Sequence, residues 1–111
     1  MAAYVPARGE FVAVSFDPQS GREQRGRRPA LVISKQPFNE RTGLCVVCPV
    51  TNALREHPLH VAIPETSGVT GVVMVEQVKS IDFRARGMRH IAPAPPSVLE
   101  EVLAVLDACI Y

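Results

Sequence analysis

The sequence predicts a mainly β fold, in which short antiparallel strands are followed by one C-terminal helix. Several short segments are rich in Val, Ile and Leu and are bounded by Gly, Pro, Asn or Asp, as strands are. Helical spacing of apolar residues is convincing only near the C-terminus, and strands do not alternate with helices. We therefore expect a small antiparallel barrel, or a strongly bent sheet, with a helix on its flank.

The first predicted strand covers residues 10–16, where the side chains alternate with the period of a strand. Further strands are predicted at residues 30–34, 44–51, 59–63 and 72–81. Residues 17–28, between the first two strands, contain Pro, Gly and mostly polar side chains. This segment is longer than a simple hairpin turn requires, which is typical of a functional loop.

The C-terminal helix has both a start signal and an apolar face. Ser97 can act as its N-cap, with Glu100 three residues later completing a capping box. Apolar side chains then recur at helical spacing, at Leu99, Val102, Leu103, Leu106 and Ile110. One face of this helix is expected to be buried.

Length and composition fit one domain spanning residues 1–111, with 47% hydrophobic residues for its core. A chain this short buries a modest share of its surface, so a homodimer is plausible. The N-terminus resembles no export signal and the longest apolar run is too short for a bilayer. We expect a cytoplasmic protein without a membrane contact, whose three cysteines are reduced thiols.

The formal net charge of +1 hides an uneven distribution of charge. Residues 22–28 hold four arginines and one glutamate, and residues 79–89 are also rich in basic side chains. A nearly neutral chain can in this way present a basic face to phosphate groups. Solvated surface charge is the alternative interpretation of such clusters.

Cys45 and Cys48 form a C-x-x-C motif, but the motif lies within a predicted strand. Side chains three residues apart on a strand point to opposite faces, and the sequence has no second cysteine pair. We therefore expect two small buried hydrophobic residues and no metal site or cofactor.

The three histidines are the first candidates for acid–base chemistry. His57 lies in a loop, His60 opens a strand and His90 follows an arginine-rich turn. No spacing links any of them to a carboxylate. We interpret them as ordinary polar residues.

Polar residues at the ends of two strands are better candidates. Arg28 ends the basic loop and opens the second strand, where its guanidinium can grip a phosphate through paired hydrogen bonds. Thr51 ends the long third strand, where its hydroxyl can bind a phosphate oxygen or start a turn. In residues 76–81, Gln77 and Lys79 share one face of the predicted strand.

Three motifs together are similar to those of the MazF/PemK toxins. They are GEFVAVSFDPQSGREQRGRRPALVIS in the first half, CPVT at the end of the third strand, and VEQVKSIDFRARG in the second half. The resemblance runs from about Tyr4 to the terminal helix. It implies an SH3-like antiparallel barrel with a C-terminal helix, in agreement with the fold predicted from the strands and the helix.

The resemblance further implies a homodimeric endoribonuclease that cuts single-stranded RNA, especially mRNA, at short sequences without a metal or cofactor. A cognate MazE-type antitoxin would neutralise it by occupying the RNA-binding surface. Arg28 and Thr51 match the family's catalytic arginine and threonine, and Glu23 is our candidate for the general base. The RNA contacts implied in the same way are Arg25, Asn39, Gln77, Lys79 and Arg86.

Two other functions stay open at this point. A toxin of the same fold that inhibits DNA gyrase would have no use for a phosphate-gripping pair, and a non-catalytic RNA-binding module would need only the basic loop. The sequence also departs from the common family pattern at Ala13, Ser15 and Asp82. The cleavage sequence therefore cannot be carried over from the family.

Overall fold

The computed structural model describes residues 3–16, 27–53 and 57–111. In this part of the chain the strands are β1 (Glu10–Ser15), β2 (Arg27–Val32), β3 (Leu44–Thr51), β4 (His60–Ala62), β5 (Val72–Met74), β6 (Lys79–Asp82) and β7 (Arg89–Pro93). The α-helices are α1 (Gln36–Thr42) and α2 (Pro96–Ile110). The predicted class, mainly β with a C-terminal helix, is confirmed.

All strand pairs are antiparallel, in the order β4-β5-β3-β2-β1-β7, with β6 also paired to β3. β3 has two partners on one edge, because its first half pairs with β6 and its last two residues pair with β5. Within the described residues the ladder does not close into a ring. The sheet is thus open, and the described strands do not form a closed barrel.

The two faces of the sheet bury two separate clusters. One cluster, which includes Phe11, Leu31 and Val50, packs beneath Val98 and Val102 of α2. The other, which includes Val12 and Val47, packs against Phe83 and Met88 from the segment between β6 and β7. A sheet buried on both faces needs continuous apolar runs along its central strands, and residues 29–32 of β2 and 44–50 of β3 supply them.

The two cysteines of the C-x-x-C motif lie in different clusters. Cys48 belongs to the cluster beneath α2, and Cys45 to the cluster on the opposite face. Both side chains are fully buried. The prediction that these thiols act as buried apolar groups on opposite faces is confirmed.

The prediction of one strand over residues 72–81 is wrong. β5 ends at Met74, a 3-10 turn covers Val75–Gln77, and β6 starts at Lys79. Val75 is buried within this turn, so the apolar pattern continues although the backbone leaves the sheet. Apolar content alone does not distinguish such a turn from a strand.

Two elements were not predicted, namely the short helix α1 and the strand β7. α1 is seven residues long with a Pro at its start, too short to show a helical period. β7 is mostly exposed at the edge of the sheet and so lacks a strong apolar pattern.

The boundary of α2 also differs, because Pro95 occupies the N-cap position and no side chain caps the helix. Ser97 is therefore not the cap that the sequence suggested. No helix in the described ranges has the length and apolar character needed to cross a membrane.

Candidate functional site

The pairing of β2 with β3 brings Arg28 and Thr51 to the same place. The register joins Leu31 to Cys48 and Ala30 to Pro49. Arg28 and Thr51 each lie two residues beyond the last of these pairs, at the same end of the two strands. Side chains two residues apart on a strand share a face, so Arg28 lies on the face of Ala30 and Thr51 on the face of Pro49, which is the same face of the sheet. The guanidinium and the hydroxyl therefore start from neighbouring points at one end of the sheet.

The side chains of this pair are available to a ligand. Arg28 is exposed, and its guanidinium donates no hydrogen bond to any other described residue. Thr51 is half-buried, and its Oγ1 accepts a hydrogen bond from the backbone N–H of Ala53 at 3.1 Å. Because the oxygen serves as acceptor in that bond, the hydroxyl proton is still free to be donated. An exposed cation and a hydroxyl donor at the same end of the sheet suit the binding of an oxyanion.

A glycine fixes the backbone behind Thr51. Gly71 has φ +112°, and a Cβ built on it would lie 2.2 Å from the carbonyl oxygen of Thr51. Only glycine allows the chain to approach β3 this closely in this conformation. Asn52 is held from the same side, because the Thr70 hydroxyl donates to its Oδ1 at 3.0 Å.

A cleft of about 380 Å³ opens beside Thr51. It is lined by Thr51, Ala53, His57, His60, Met74, Glu76 and Gln77. The registers of β5 explain why these residues meet: Thr51 lies opposite Val72, and His60 lies opposite Met74, so all four share one face of the sheet. The cleft is therefore a continuation of the surface that carries Arg28.

His60 and Glu76 form an ion-pair contact inside this cleft. The distance from His60 Nε2 to Glu76 Oε2 is 3.0 Å, and the two side chains are 9% and 25% exposed. Burial of the carboxyl group acts to raise the pKa of Glu76. The hydrogen bond from His60, a backbone hydrogen bond and the nearby imidazoles outweigh this effect, and the pKa lies below its ordinary value of 4.5. Glu76 is thus ionised at neutral pH and accepts hydrogen bonds only.

His57 lies flat against His60. The ring centroids are 4.4 Å apart and the planes differ by 17°. His57 Nδ1 accepts the backbone N–H of Leu59 at 3.1 Å, so the neutral ring carries its proton on Nε2. The expectation that the histidines have no carboxylate partner is wrong for His60, and His90 also lies 3.7 Å from Glu10. No sequence spacing could reveal the His60–Glu76 contact, because it depends on the pairing of β4 with β5.

His57, His60 and Glu76 also place one potential metal-ligand atom each within 4.8 Å of the others. The observed arrangement does not suit a metal ion. The two imidazole rings are stacked with nearly parallel planes, whereas imidazoles bound to one tetrahedral ion approach it from different directions. His57 Nδ1 already accepts the Leu59 N–H, and Nε2 carries the proton of the neutral ring. A histidine bound to a metal has the opposite arrangement, in which one nitrogen binds the ion through its lone pair and the other donates its N–H to a partner.

Lys79 and Gln77 are exposed near the same end of the sheet. Lys79 lies opposite Val47 of β3, and its Nζ is 5.2 Å from the centroid of the Phe16 ring. Gln77 lines the cleft next to Glu76. Both predicted contact residues are exposed. Gln77 lies in the 3-10 turn and Lys79 starts β6, so they do not share the single strand on which the sequence placed them.

Arg86 is half-buried, and one of its nitrogens donates to the Ser15 carbonyl at 3.2 Å. The backbone N–H of Ser15 in turn donates to the Arg86 carbonyl at 3.3 Å. Arg86 thus ties the turn after β6 to the end of β1, and part of its guanidinium is used within the fold.

Asn39 has a structural role instead of the expected RNA contact. Its side chain is fully buried, and its amide donates to the carbonyls of Pro6 at 2.8 Å and Ser34 at 3.1 Å. Its Oδ1 accepts the Ser34 hydroxyl at 2.6 Å. A buried amide with these partners cannot reach a ligand, so we remove Asn39 from the site. Glu23 and Arg25 lie outside the described residues.

Comparison with known proteins agrees with this fold. Residues 7–110 match the family model described as a PemK-like, MazF-like toxin of type II toxin-antitoxin systems. The endoribonuclease toxin ChpB of Escherichia coli K12 is 44% identical over 93% of this chain and 92% of its own. The endoribonuclease toxin MazF of the same strain is 36% identical over 99% of this chain and 98% of its own.

Solved structures give the same result. MazF from Deinococcus radiodurans superposes with a TM-score of 0.88 at 44% identity, covering 97% of this chain and 98% of that chain. A MazE–MazF complex from the same organism superposes with a TM-score of 0.86 at 39% identity, covering 97% of each chain. The chain therefore belongs to the PemK-like, MazF-like toxin family of type II toxin–antitoxin systems.

Proposed function

We propose that the protein is a sequence-specific endoribonuclease toxin that cuts single-stranded RNA, in particular mRNA, and so inhibits translation and growth. The observation that carries the proposal is the cross-strand placement of Arg28 and Thr51 beside an open cleft. It gains weight from the relatives, several of which are named endoribonucleases.

The proposed reaction uses the 2′-hydroxyl of the RNA as nucleophile and needs no metal. The 2′-oxygen attacks the adjacent phosphorus, the bond from phosphorus to the 5′-oxygen breaks, and the products are a 2′,3′-cyclic phosphate and a 5′-hydroxyl. The 2′-hydroxyl proton passes to a general base, for which Glu23 is the candidate, and the leaving 5′-oxygen takes up a proton. The crowded, negatively charged phosphorane is the species that the protein must stabilise.

Arg28 is suited to that stabilisation. A guanidinium stays charged at any physiological pH and binds two phosphate oxygens at once. Thr51 adds a hydroxyl donor from the neighbouring strand, since its oxygen already accepts the Ala53 N–H. Because both residues lie on strands, the backbone positions from which their side chains extend are fixed before the RNA binds.

The remaining contacts hold the RNA. Lys79 and Arg25 are proposed to bind phosphates, Gln77 to read a base edge, and Arg86 to offer the part of its guanidinium that Ser15 does not use. A cognate MazE-type antitoxin is proposed to block this surface, in line with the MazE–MazF complexes that share the fold. We propose that the protein acts as a homodimer in the cytoplasm.

The test is incubation of a short synthetic RNA library with purified protein in EDTA, with cut positions and end groups read by mass spectrometry. We expect cuts at a short recurring sequence with cyclic-phosphate ends. Arg28→Ala and Thr51→Ala should each lower the cleavage rate by about 100-fold or more and leave folding intact, since each removes one group that stabilises the phosphorane. Arg89→Ala, which removes an exposed arginine from β7 at the far edge of the sheet, is the matched control and should cut normally.

Other results would favour the other functions. RNA binding by a folded protein that cuts nothing in the library would indicate a non-catalytic RNA-binding module. Inhibition of DNA gyrase without RNA cleavage would indicate a gyrase-directed toxin. Unchanged cutting by Arg28→Ala or Thr51→Ala would remove that residue from the mechanism.

A further inference from the structure

We infer that the cleft beside Thr51 binds a single nucleobase, which stacks on the His57 ring and donates a hydrogen bond from its edge to Glu76. This makes Glu76 a specificity-determining residue. The inference rests on the proposed function, because it takes the ligand to be single-stranded RNA.

The size and position of the cleft suit one base. Its volume of about 380 Å³ lies at the lower end of the range of about 300–1,000 Å³ that is usual for small-ligand sites. Thr51 is one of the residues that line the cleft, so a nucleotide whose phosphate binds the Thr51 hydroxyl has its base within reach of the cleft. Single-stranded RNA is recognised mainly through bases that are unstacked and splayed into such sites.

The stacked histidines form a ready platform. His60 covers one face of the His57 ring. No second aromatic ring among the described residues stacks on His57, which is exposed and lines the cleft. The platform is fixed in advance, since Leu59 N–H holds His57 Nδ1 and Glu76 holds His60 Nε2. Stacking of a base on an aromatic side chain contributes about 1–3 kcal/mol and does not depend strongly on the base.

Glu76 supplies the directional contact. Its Oε2 accepts the His60 N–H, which leaves Oε1 to accept a donor from the ligand. A carboxylate cannot donate, so it selects the base orientation and base type that present an N–H at this point and repels a carbonyl oxygen. The Gln77 amide, which lines the same cleft, can complete the contacts to the base edge.

The sequence does not show this subsite. His57 and Glu76 are far apart along the chain, and each is polar in a segment where solvent exposure explains a polar residue equally well. Only the pairing of β4 with β5 brings the imidazoles to the 3-10 turn that carries Glu76 and Gln77.

The first experiment compares cleavage preferences on a randomised RNA library for wild type and Glu76→Gln. Because an amide both donates and accepts, the base preference should relax or change by about tenfold at one position of the recognition sequence and stay the same elsewhere. Glu10→Gln, which alters the His90–Glu10 pair at the opposite edge of the sheet, is the matched control and should leave every position unchanged. An unaltered preference in folded Glu76→Gln would overturn the inference.

Stacking is tested with His57. His57→Ala should raise the KM for a cleaved oligonucleotide about tenfold with little change in kcat, and His57→Phe, which keeps an aromatic face, should restore most of the affinity. His90→Ala should have no effect on KM. A fall in kcat without a change in KM, or no rescue by His57→Phe, would contradict a stacking role.

A binding measurement separates this inference from the proposed reaction. Imidazole NMR signals of the Arg28→Ala protein are followed while nucleoside monophosphates are added, and Zn²⁺ is added in a parallel titration. Upfield shifts of the His57 ring caused by a nucleotide would support the base subsite even if the wild-type protein cuts no RNA. Two results would overturn the subsite and leave the ribonuclease proposal standing. One is RNA cleavage by the wild type with no His57 ring shift on addition of nucleotide, and the other is a saturable ring shift that Zn²⁺ causes and nucleotides do not.

Discussion

At the scale of single residues, close contacts around Thr51 decide whether the site can form. Gly71 lies against the Thr51 carbonyl with a positive φ, and Ala53 holds the Thr51 hydroxyl from the other side. Asn39 is the opposite case, because its polar side chain is buried and forms its hydrogen bonds within the fold. Whether a polar side chain serves structure or function depends on its hydrogen-bond partners, which residue type does not reveal.

Gly71→Ala tests the backbone contact. The new Cβ would meet the Thr51 carbonyl oxygen at 2.2 Å in a conformation that already disfavours alanine. We expect the free energy of unfolding to fall by about 3 kcal/mol. Cleavage should fall as well, because Thr51 must shift.

Gly43→Ala is the matched control for this substitution. Gly43 also has a positive φ, of +73°, but nothing lies within 4 Å of its Cβ position. Gly43→Ala should lower the free energy of unfolding by about 1 kcal/mol, because alanine disfavours the positive φ. Equal losses in chemical denaturation of the two variants would show that the approach of Gly71 to Thr51 is not a tight contact.

At the scale of elements, β3 organises the molecule. Its first half pairs with β6 and its end with β5, while β2 covers its other edge. Because both faces of β3 are buried, its cysteines enter the two clusters separately. The helix α2 covers one of those clusters, and its last residues are exposed, including Cys109.

This arrangement predicts a sharp difference in thiol reactivity. Burial raises the pKa of Cys45 to about 12, and burial together with the nearby charge of Glu76 raises the pKa of Cys48 to about 12. Because the thiolate is the reactive form, neither should be alkylated in the native protein at pH 8, whereas exposed Cys109 should react.

Mass spectrometry after iodoacetamide treatment gives the readout. One adduct, located on Cys109, is expected under native conditions, and three are expected after denaturation. Rapid native alkylation of Cys48 would show that the cluster beneath α2 opens readily.

At the scale of the whole molecule, the site joins parts of the chain that are far apart. Arg28 comes from β2, Thr51 from β3, and the histidines and Glu76 from around β4 and β5. These strands are consecutive in the sheet order, so one open surface runs across them. A substrate on this surface therefore contacts groups whose relative positions depend on the complete sheet.

The His60–Glu76 contact should make the stability of the whole domain depend on pH. Because the folded pKa of Glu76 is lowered, its contribution is present above the ordinary value of 4.5 and is lost as the pH falls through the folded pKa. Wild type should therefore exceed Glu76→Gln in free energy of unfolding at pH 7, and the difference should shrink as the pH falls below the ordinary value of 4.5.

Denaturant titrations at pH 7, 5 and 3 measure this difference. Glu100→Gln, at an exposed position on α2, is the control and should show no comparable trend. A difference between wild type and Glu76→Gln that is constant across this pH range would mean that the carboxylate is not stabilised by its imidazole neighbour.

The sequence by itself determined the fold class, because alternating and continuous apolar runs restrict the chain to strands and the apolar spacing of α2 restricts it to a helix. It also determined that Arg28 and Thr51 are strand-end residues, and their motif context placed the chain in its family. These are local properties, encoded within a few neighbouring residues.

Only the tertiary structure decided which residues meet. The pairing of strands brought Arg28 and Thr51 to the same end of the sheet, joined His60 to Glu76 and divided residues 72–81 into two strands around a turn. It also buried Asn39, which the sequence left free to bind a ligand. The physical reason is that strand register and burial depend on contacts between residues far apart along the chain, and no spacing rule within a single segment encodes them.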